Sequence, residues 1–175
     1  DRPETLALFD VSYIEAFAPA VIETNQTIRQ RRYVSILSVT TNLNIADPED
    51  FDHAAQAVSA QICDCVEAKG GLVLRASSGD VVACFGYPAG HDKDPDTATF
   101  TALDILKTLA TKVGGAPKAQ IGLAYGQVLI SMDDTGNPTM SGAVLRTANS
   151  VALQSPFGVI SMCRDMAKVV SPTIR

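Results

Sequence analysis

The chain has 175 residues, of which 46% are hydrophobic and 19% are charged, and its formal net charge is −5. This length fits one folded domain with an extension, and the apolar content is unlike that of a disordered segment. The acidic balance and the lack of a basic run argue against a nucleic-acid partner. No apolar run approaches the about 18 residues that a membrane-spanning helix needs, so we expect no membrane span in this stretch.

Residues 1–32 are predicted to form an N-terminal helical extension or linker, and residues 33–175 the main domain. Apolar residues recur in the first segment at roughly helical spacing, and Pro19 interrupts the pattern. Two interpretations stay open: the segment pads the core, or it connects an upstream sensor to the domain. Because the chain begins at Asp1 without a signal-type segment, we expect a piece of a larger cytoplasmic protein. That larger protein would hold an upstream sensor or effector domain, and a membrane anchor there is compatible with this view.

The cysteines do not form a recognisable framework. Cys63, Cys65, Cys84 and Cys163 include no C-x-x-C pair, and the chain has only two histidines, which are too few and too scattered for a zinc site. We therefore expect free thiols in a reducing compartment.

The first half of the main domain alternates strands and helices. An apolar, β-branched run over 33–41 predicts a buried strand, and Asp47-Pro48 predicts the start of a helix that Gly70-Gly71 ends. Two strands over 72–76 and 81–87 follow, joined by a tight turn of Ser, Gly and Asp residues.

The second half continues in the same way. Asp94-Pro95 predicts a second helix that ends at Gly114-Gly115, and two strands, 118–123 and 127–131, are predicted on either side of Gly126. A polar loop over 132–137 precedes the remaining elements, which are a third helix over 141–153, a short strand over 159–162 and a last helix over 164–169. The order βαββαβ, with an added hairpin and helices, predicts a ferredoxin-like α+β fold with an antiparallel sheet.

Five stretches, in this order and spacing, resemble the catalytic domain of class III adenylyl/guanylyl (nucleotidyl) cyclases over residues 31–170. The hairpin is the most informative of them, because Lys69-Gly70-Gly71 through Phe85-Gly86 reads as helix end, turn, strand, tight turn and strand. The resembling stretches are Arg31-Arg32 with the strand after it, Lys69–Pro88, Asp92–Leu106, Ile121–Val128 and Ser155–Ser161.

The resemblance implies a reaction but also the loss of its metal site. Members of that family cyclise a nucleoside triphosphate with the help of two metal ions, Mg²⁺ or Mn²⁺, held by two aspartates. The ungapped match puts Val39 and Gly79 at the two aspartate positions, and neither side chain can bind a metal ion. We therefore expect no metal cofactor. Asp80 is one residue away, and a slip of one residue would recover one ligand at the cost of a gap.

The same resemblance implies four further site positions. Arg75 falls at the lysine that recognises the base, and Thr139 at its partner. Arg146 and Ser150 fall at an asparagine and an arginine that act on the transition state, and serine lacks the charge of that arginine. Arg146 is alternatively the arginine displaced by one turn, or a surface salt-bridge residue. Arg75, Thr139 and Arg146 are thus candidate nucleotide- or anion-binding residues, and no catalytic residue is expected to be intact.

Three functional hypotheses follow from these residues. The leading one is a degenerate cyclase-homology domain, acting as a non-catalytic signalling or dimerisation module and assembled as a homodimer. The second is an active or weakly active divergent adenylate or guanylate cyclase that uses Asp80 and Arg146 with Mg²⁺ or Mn²⁺. The third is a degenerate diguanylate cyclase of the GGDEF type, which shares the sheet plan and is faintly similar at Arg75 and Gly79-Asp80.

Overall fold

The computed structural model describes residues 29–112 and 118–172. Within these ranges the chain forms one six-stranded sheet and four helices. In chain order the elements are β1 (Gln30–Asn42), α1 (Pro48–Glu67), β2 (Leu72–Ser77), β3 (Asp80–Phe85), α2 (Asp94–Lys112), β4 (Lys118–Met132), β5 (Pro138–Ser141), α3 (Ala143–Gln154), β6 (Ile160–Met162) and α4 (Arg164–Val169).

The predicted N-terminal extension lies mostly outside the described residues. Residues 1–28 are not among them, so a helical extension there stays a prediction, whereas residues 30–32 belong to β1. The glycines at 114 and 115, predicted to end the second helix, also lie outside the described ranges. No helix in the described residues has the length and hydropathy needed to cross a bilayer.

The strand order confirms the ferredoxin-like prediction. The sheet runs β2-β3-β1-β4-β5, and the first four of these strands are antiparallel neighbours. Strands β5 and β6 are additions that both pair with β4, β5 antiparallel at residues 129–132 and β6 parallel at residues 121–123. The added parallel strand makes the sheet mixed.

Local sequence explains where α1 begins and ends. The Asp47 carboxylate accepts hydrogen bonds from the backbone amides of Glu49, at 2.9 Å, and Asp50, at 3.1 Å, and Pro48 occupies the first turn. At the other end Gly70 has a φ of +75°, a conformation that glycine adopts without a steric penalty. Both ends match the prediction from the sequence.

The structure differs from the sequence prediction around Gly126. The two predicted strands are a single strand, β4, which pairs with β1 from Lys118 to Ile130, and Gly126 lies opposite Val34 in the ladder. A Cβ at position 126 would lie 3.2 Å from the Cβ of Val144 in α3. Gly126 is therefore a site of close helix approach and not a turn. Strand β5 was also missed, and α3 begins at Ala143, later than predicted.

The two faces of the sheet are covered differently. Odd-numbered residues of β1, such as Leu37 and Val39, join a core formed with α1, α2 and α4. Even-numbered residues, such as Val34 and Ile36, join a second core with α3. Helix α3 packs on β4 and β1. None of the four described helices therefore covers the part of this face formed by β2, and half-buried side chains there border a cleft.

We predict that Gly122→Ala destabilises the domain, since an added Cβ would collide with the Ala148 carbonyl and the backbone of Ala152 in α3. Because these atoms are helix backbone, they cannot move independently, and we expect a loss of about 1–3 kcal/mol or more in the free energy of unfolding. Urea denaturation followed by circular dichroism measures this loss. The matched control is Gly90→Ala, where the nearest atom lies at 3.4 Å and the expected change is within about 0.5 kcal/mol. Equal effects of the two substitutions would contradict the close packing of α3.

Candidate functional site

A cleft of about 850 Å³ opens on the face of the sheet that carries α3. Strand β2 forms one wall, α3 forms another, and the start of β5 contributes to the rest. The side chains around it are Leu72, Val73, Leu74, Arg75, Val82, Asn137, Pro138, Thr139, Met140, Leu145, Arg146, Asn149 and Ser150. Its volume is in the range of small-molecule sites in proteins.

Four residues singled out from the sequence meet at this cleft. Arg75 reaches it from β2, Thr139 from β5, and Arg146 and Ser150 from α3. These residues are distant in sequence, and the fold brings them together because β5 and α3 follow β4 across the sheet. Val39 and the hairpin residues at 79 and 80 do not line the cleft.

The position of Val39 corrects one sequence expectation. Val39 is 1% exposed and belongs to the core under α1 and α2, on the side of the sheet opposite the cleft. Since side chains alternate along a strand, the residue at this strand end that faces the cleft side is Thr40. A side chain at position 39 therefore cannot contribute to a site on the α3 face, and the one that can carries a hydroxyl.

The hairpin turn explains why position 79 is glycine. Ser78 and Gly79 have φ values of 51° and 87°, as a two-residue turn between antiparallel strands requires. The Thr41 hydroxyl donates to the Gly79 carbonyl at 2.9 Å, and the Gly79 amide donates to the Ser59 hydroxyl at 3.1 Å. A Cβ at this position would collide with the Thr41 hydroxyl. No acidic side chain fits position 79 on this backbone.

Asp80 is the acidic residue that the hairpin offers instead. It opens β3 and pairs with Ser77. The β1–β3 pairing ends one residue away, at Val39 and Val81, and its continuation in the same register would bring Asp80 opposite Thr40. Strand β2 contains a bulge between Val73 and Arg75, so β2 holds one residue more than the part of β3 opposite it. An extra residue in one strand is the kind of irregularity that a one-residue shift of the family match along the hairpin would need. A carboxylate is therefore available at position 80 and not at position 79.

One carboxylate does not make a two-metal site. Asp80 pairs with Ser77, and in the described part of the chain there is no group of three or more His, Cys, Asp or Glu residues that could hold a metal ion. Two bridged divalent ions need several carboxylate or equivalent oxygens. The residues present do not fit the pair of metal ions that the family resemblance implies.

The charge of the cleft comes from arginine. Arg75 and Arg146 line it, and no aspartate or glutamate does. Within residues 29–112 and 118–172 neither guanidinium forms an ion pair, since the four pairs found there involve other side chains. Both arginines are exposed and keep their full set of donors for a ligand. The electrostatic character of the cleft therefore favours anions.

Asn149 is a cleft residue that the sequence comparison missed. Its side-chain oxygen accepts a hydrogen bond of 3.5 Å from the hydroxyl of Ser38, a residue of β1 that is 1% exposed. This orientation leaves the amide NH₂ group as a donor toward the cleft. Arg146 and Asn149 are three residues apart, so they share one face of α3. That spacing could have identified Asn149, but the family match directed attention to position 146 as the asparagine position.

Thr139 has less capacity for a ligand than the sequence suggests. Its hydroxyl donates to the Ser131 carbonyl at 3.0 Å and lies 2.9 Å from the Ser131 hydroxyl, both across the β4–β5 pairing. The loop before β5 is fixed by Asp133, whose carboxylate accepts from the Thr135 hydroxyl and the Asn137 amide. These bonds hold the pKa of the Asp133 carboxyl below its ordinary value. The loop that positions Asn137 and Thr139 is thus tied together by its own hydrogen bonds.

The bottom of the cleft is apolar. Val82 lies in the sheet beneath it, and Leu72 and Leu145 contribute from β2 and α3. Cys84, next on this face of β3, is fully buried, and burial together with the smaller effect of Asp94 raises the pKa of its thiol to about 12. All four cysteines are free, as the sequence predicts. Cys84 is a packing residue and not a nucleophile.

Comparison with solved structures gives the fold of nucleotidyl cyclase catalytic domains. The dimeric guanylyl cyclase domain of the RhoGC fusion protein from the aquatic fungus Blastocladiella emersonii aligns with a TM-score of 0.72 and 16% identity, over 80% of this chain and 84% of that chain. A monomeric structure of the guanylyl cyclase domain of that protein gives 0.72 and 14%, over 82% and 88%. The adenylyl cyclase CyaB from P. aeruginosa gives 0.71 and 14%, over 81% and 82%.

The likeness to these structures is found by comparison of folds. No family model matches the chain, and no curated protein matches it. At these identities the comparison establishes a class III cyclase-like fold, which confirms the resemblance drawn from the hairpin and the stretches around it. Fold alone does not decide activity, which depends on the residues of the cleft.

We predict that Gly79→Ala destabilises the hairpin, because the new side chain meets the Thr41 hydroxyl and the φ of 87° disfavours any residue with a Cβ. A loss of about 1–3 kcal/mol in the free energy of unfolding is expected. The control is Asp80→Ala, which is expected to change stability by less than about 0.5 kcal/mol. Thermal and urea unfolding of both variants provides the measurement. A larger loss for Asp80→Ala would mean that Asp80 has structural contacts beyond those described.

Proposed function

We propose that this chain is a degenerate nucleotidyl cyclase homology domain that acts as a non-catalytic signalling and dimerisation module within a larger cytoplasmic protein. The observation that carries the proposal is the strand end at Thr40 and Asp80, where the structure offers one carboxylate. The reaction implied by the resemblance needs two aspartates to hold two metal ions. Without them the 3′-hydroxyl keeps a high pKa and the phosphate charges lack their counterions.

The helix that would stabilise the transition state supports the same proposal. Ser150, at the position where the resemblance implies an arginine, has no charge and a short side chain, although it does line the cleft. Loss of one preorganised donor to a developing oxyanion commonly costs about 10²–10³ in rate. Combined with the missing carboxylate, this argues against turnover at a physiological rate.

We predict no formation of cyclic nucleotide by the purified chain. Incubation with ATP or GTP and either Mg²⁺ or Mn²⁺, followed by mass spectrometry for 3′,5′-cyclic product, is expected to match a heat-denatured control, because the metal site is incomplete. Product above that control, abolished by Asp80→Ala, would sink the non-catalytic proposal.

A variant that adds a second carboxylate tests whether the missing carboxylate accounts for the incomplete metal site. Thr40→Asp would put a second carboxylate beside Asp80 on the cleft side of the sheet. We expect this variant to bind Mn²⁺ at least about tenfold more tightly than the unmodified chain, as measured by calorimetry, because two carboxylates share the ion. The control is Thr41→Asp, whose side chain lies on the opposite face of β1. Equal Mn²⁺ affinity of the two variants would contradict the proposed arrangement of Thr40 and Asp80.

One observation favours the alternative of a divergent, weakly active cyclase. Asp80 opens β3 beside the strand end, and Arg146 lines the cleft from α3. An acidic group and an arginine would then act from displaced positions, with Mg²⁺ or Mn²⁺ as cofactor. The turnover assay distinguishes the two proposals directly, because the alternative requires product that depends on both Asp80 and Arg146.

We also propose that the chain forms a homodimer through the face that carries the cleft. The support is that no helix among the described residues covers β2 on this face and that Leu74 and Leu145 remain half-buried beside the cleft. A guanylyl cyclase domain of the same fold has been solved both as a non-canonical dimer and as a monomer. Cys84 itself is fully buried within the single chain and offers no surface to a partner.

We predict a concentration-dependent dimer in sedimentation velocity at micromolar concentration. Leu145→Glu is expected to shift the chain to monomer, because a charge at a partly apolar interface must be desolvated. Leu103→Glu is the matched control, since Leu103 is 37% exposed on α2, on the opposite side of the sheet. A strict monomer for the unmodified chain, or equal dissociation by both variants, would leave a different partner as the better proposal.

A further inference from the structure

We propose that a second cavity, on the face of the sheet opposite the cleft, binds a small organic amine whose other end carries a hydrogen-bonding group. This cavity, the Ser35 cavity, has a volume of about 290 Å³ and lies between the start of β1, the start of α2 and the end of α4. None of the described residues lines both the cleft and the Ser35 cavity. The inference is therefore independent of whether the cleft turns over a nucleotide.

The floor of the Ser35 cavity is a row of side chains across three strands. Ser35 of β1 pairs with Phe85 of β3 and with Tyr125 of β4, and all three residues line the cavity. They lie on the face of the sheet that also carries Leu37, because residues two apart on a strand point to the same side. The ring of Tyr33 stacks on that of Tyr125, with the two ring centroids 5.7 Å apart. The floor is therefore aromatic around one serine hydroxyl.

The Ser35 hydroxyl has no hydrogen-bond partner in the part of the chain that the structure describes. Ser35 is 0% exposed, and a hydroxyl can donate one hydrogen bond and accept two. Ser38, the other buried serine of β1, does have a side-chain partner, which is Asn149. Because an unpaired buried hydroxyl is unfavourable, a ligand that brings a donor or an acceptor to Ser35 gains from the pairing. The deep side of the cavity therefore selects for a polar group.

The charge at the mouth of the Ser35 cavity is negative. Asp92 and Asp94 line it together with His91, and among the described residues no lysine or arginine does so. One oxygen of Asp94 accepts a hydrogen bond from the backbone amide of His91 at 2.6 Å, and the other lies 3.7 Å from the His91 Nδ1. A carboxylate has about four acceptor positions, so Asp94 keeps capacity for a ligand. The two carboxylates therefore favour a cation at the mouth.

The start of α2 does not reverse this preference. A helix N-terminus carries about half a positive elementary charge, but Asp94 and Asp96 lie in the first turn of α2 and offset it. The ring of Tyr33, which is 62% exposed, attracts a cation that lies within about 6 Å of its centre. The volume is just below the roughly 300–1,000 Å³ of sites for drug-sized ligands, so the ligand is small. An ammonium group at the carboxylates, an aromatic body over the tyrosines and a hydroxyl at Ser35 match the three parts of the cavity.

The experiment is a titration of the full, ¹⁵N-labelled chain followed by two-dimensional NMR. The probes are tyramine, which has all three parts, phenethylamine, which lacks the hydroxyl, and 4-methylphenol, which lacks the amine. We expect tyramine to bind at least about tenfold more tightly than 4-methylphenol and about threefold more tightly than phenethylamine, because hydrogen bonds to charged groups contribute more than neutral ones. The shifts are expected at the amides of Ser35, His91 and Tyr125, and added salt is expected to weaken the binding.

Matched variants connect binding to the named residues. Asp92→Asn is expected to weaken tyramine binding by about threefold or more, since it removes one of the two charges at the mouth. Asp64→Asn is the control, because Asp64 is exposed on α1 and does not line the cavity. Ser35→Ala is expected to abolish the preference for tyramine over phenethylamine. Because the Ser35 hydroxyl has no partner among the described residues, the same substitution is expected to leave the melting temperature of the unliganded chain unchanged or raised. Circular dichroism checks that each variant is folded.

Several outcomes would overturn the inference. No binding of tyramine by the folded chain overturns it outright, and 4-methylphenol binding as tightly as tyramine overturns the assignment of a cation. Equal binding of tyramine and phenethylamine overturns the role of Ser35, as does a loss of stability in the unliganded Ser35→Ala variant. Equal losses in Asp92→Asn and Asp64→Asn, or shifts confined to residues of the cleft, overturn the location. The turnover assay bears on none of these results, so the inference and the proposed function fail separately.

Discussion

Helix α3 packs directly on the backbone of β4, because β4 has glycine at the two positions beneath the helix, Gly122 and Gly126. At Gly122 the backbone of α3 occupies the space that a Cβ would need, and at Gly126 a Cβ would lie 3.2 Å from the Cβ of Val144. This contact fixes α3 over β4 and β1 and keeps it away from β2. Because α3 lies over β4 and β1, a space remains on this face between α3 and β2, and that space is the cleft. The arginines at 75 and 146 face the same space for the same reason.

A second constraint follows from the alternation of side chains along β1. Val39 packs under α1 and α2, whereas Ser38 reaches Asn149 on the opposite side and Thr40 follows on that same side. A shift of one residue along β1 therefore moves a side chain from the core face of the sheet to the face that carries the cleft. Any comparison with a catalytic relative therefore requires the strand register to be known to within one residue. That register is read from the pairing of the strands in the structure. The hairpin depends on register in the same way. With the bulge in β2, Gly79 lies in the turn and Asp80 is the first residue of the next strand.

Most of the fold could be predicted from the sequence because its elements have strong local signals. Asp47 with Pro48 marks the start of α1, and the apolar stripes of α1 and α2 have clear helical spacing. The errors have identifiable causes. Gly126 was interpreted as a turn because glycine serves both turns and close packing, and only the position of α3 distinguishes the two. Strand β5 is only four residues long and begins with proline, so its alternation is too short to identify a strand from the sequence.

The candidate site was predicted less completely than the fold, for a related reason. A family comparison identifies only the positions that are functional in the family. Other side chains can also line the cleft, and the comparison does not identify them. Asn149 was missed because the comparison assigned its role to position 146, yet a buried hydroxyl on β1 holds it in the cleft beside Arg146. The charge of the cleft comes from Arg75 and Arg146, and no aspartate or glutamate is among the described residues that line it. Arginine can neutralise a phosphate group without a metal ion. The proposed non-catalytic function therefore depends on this charge balance, together with the lack, among the described residues, of a carboxylate cluster for divalent ions.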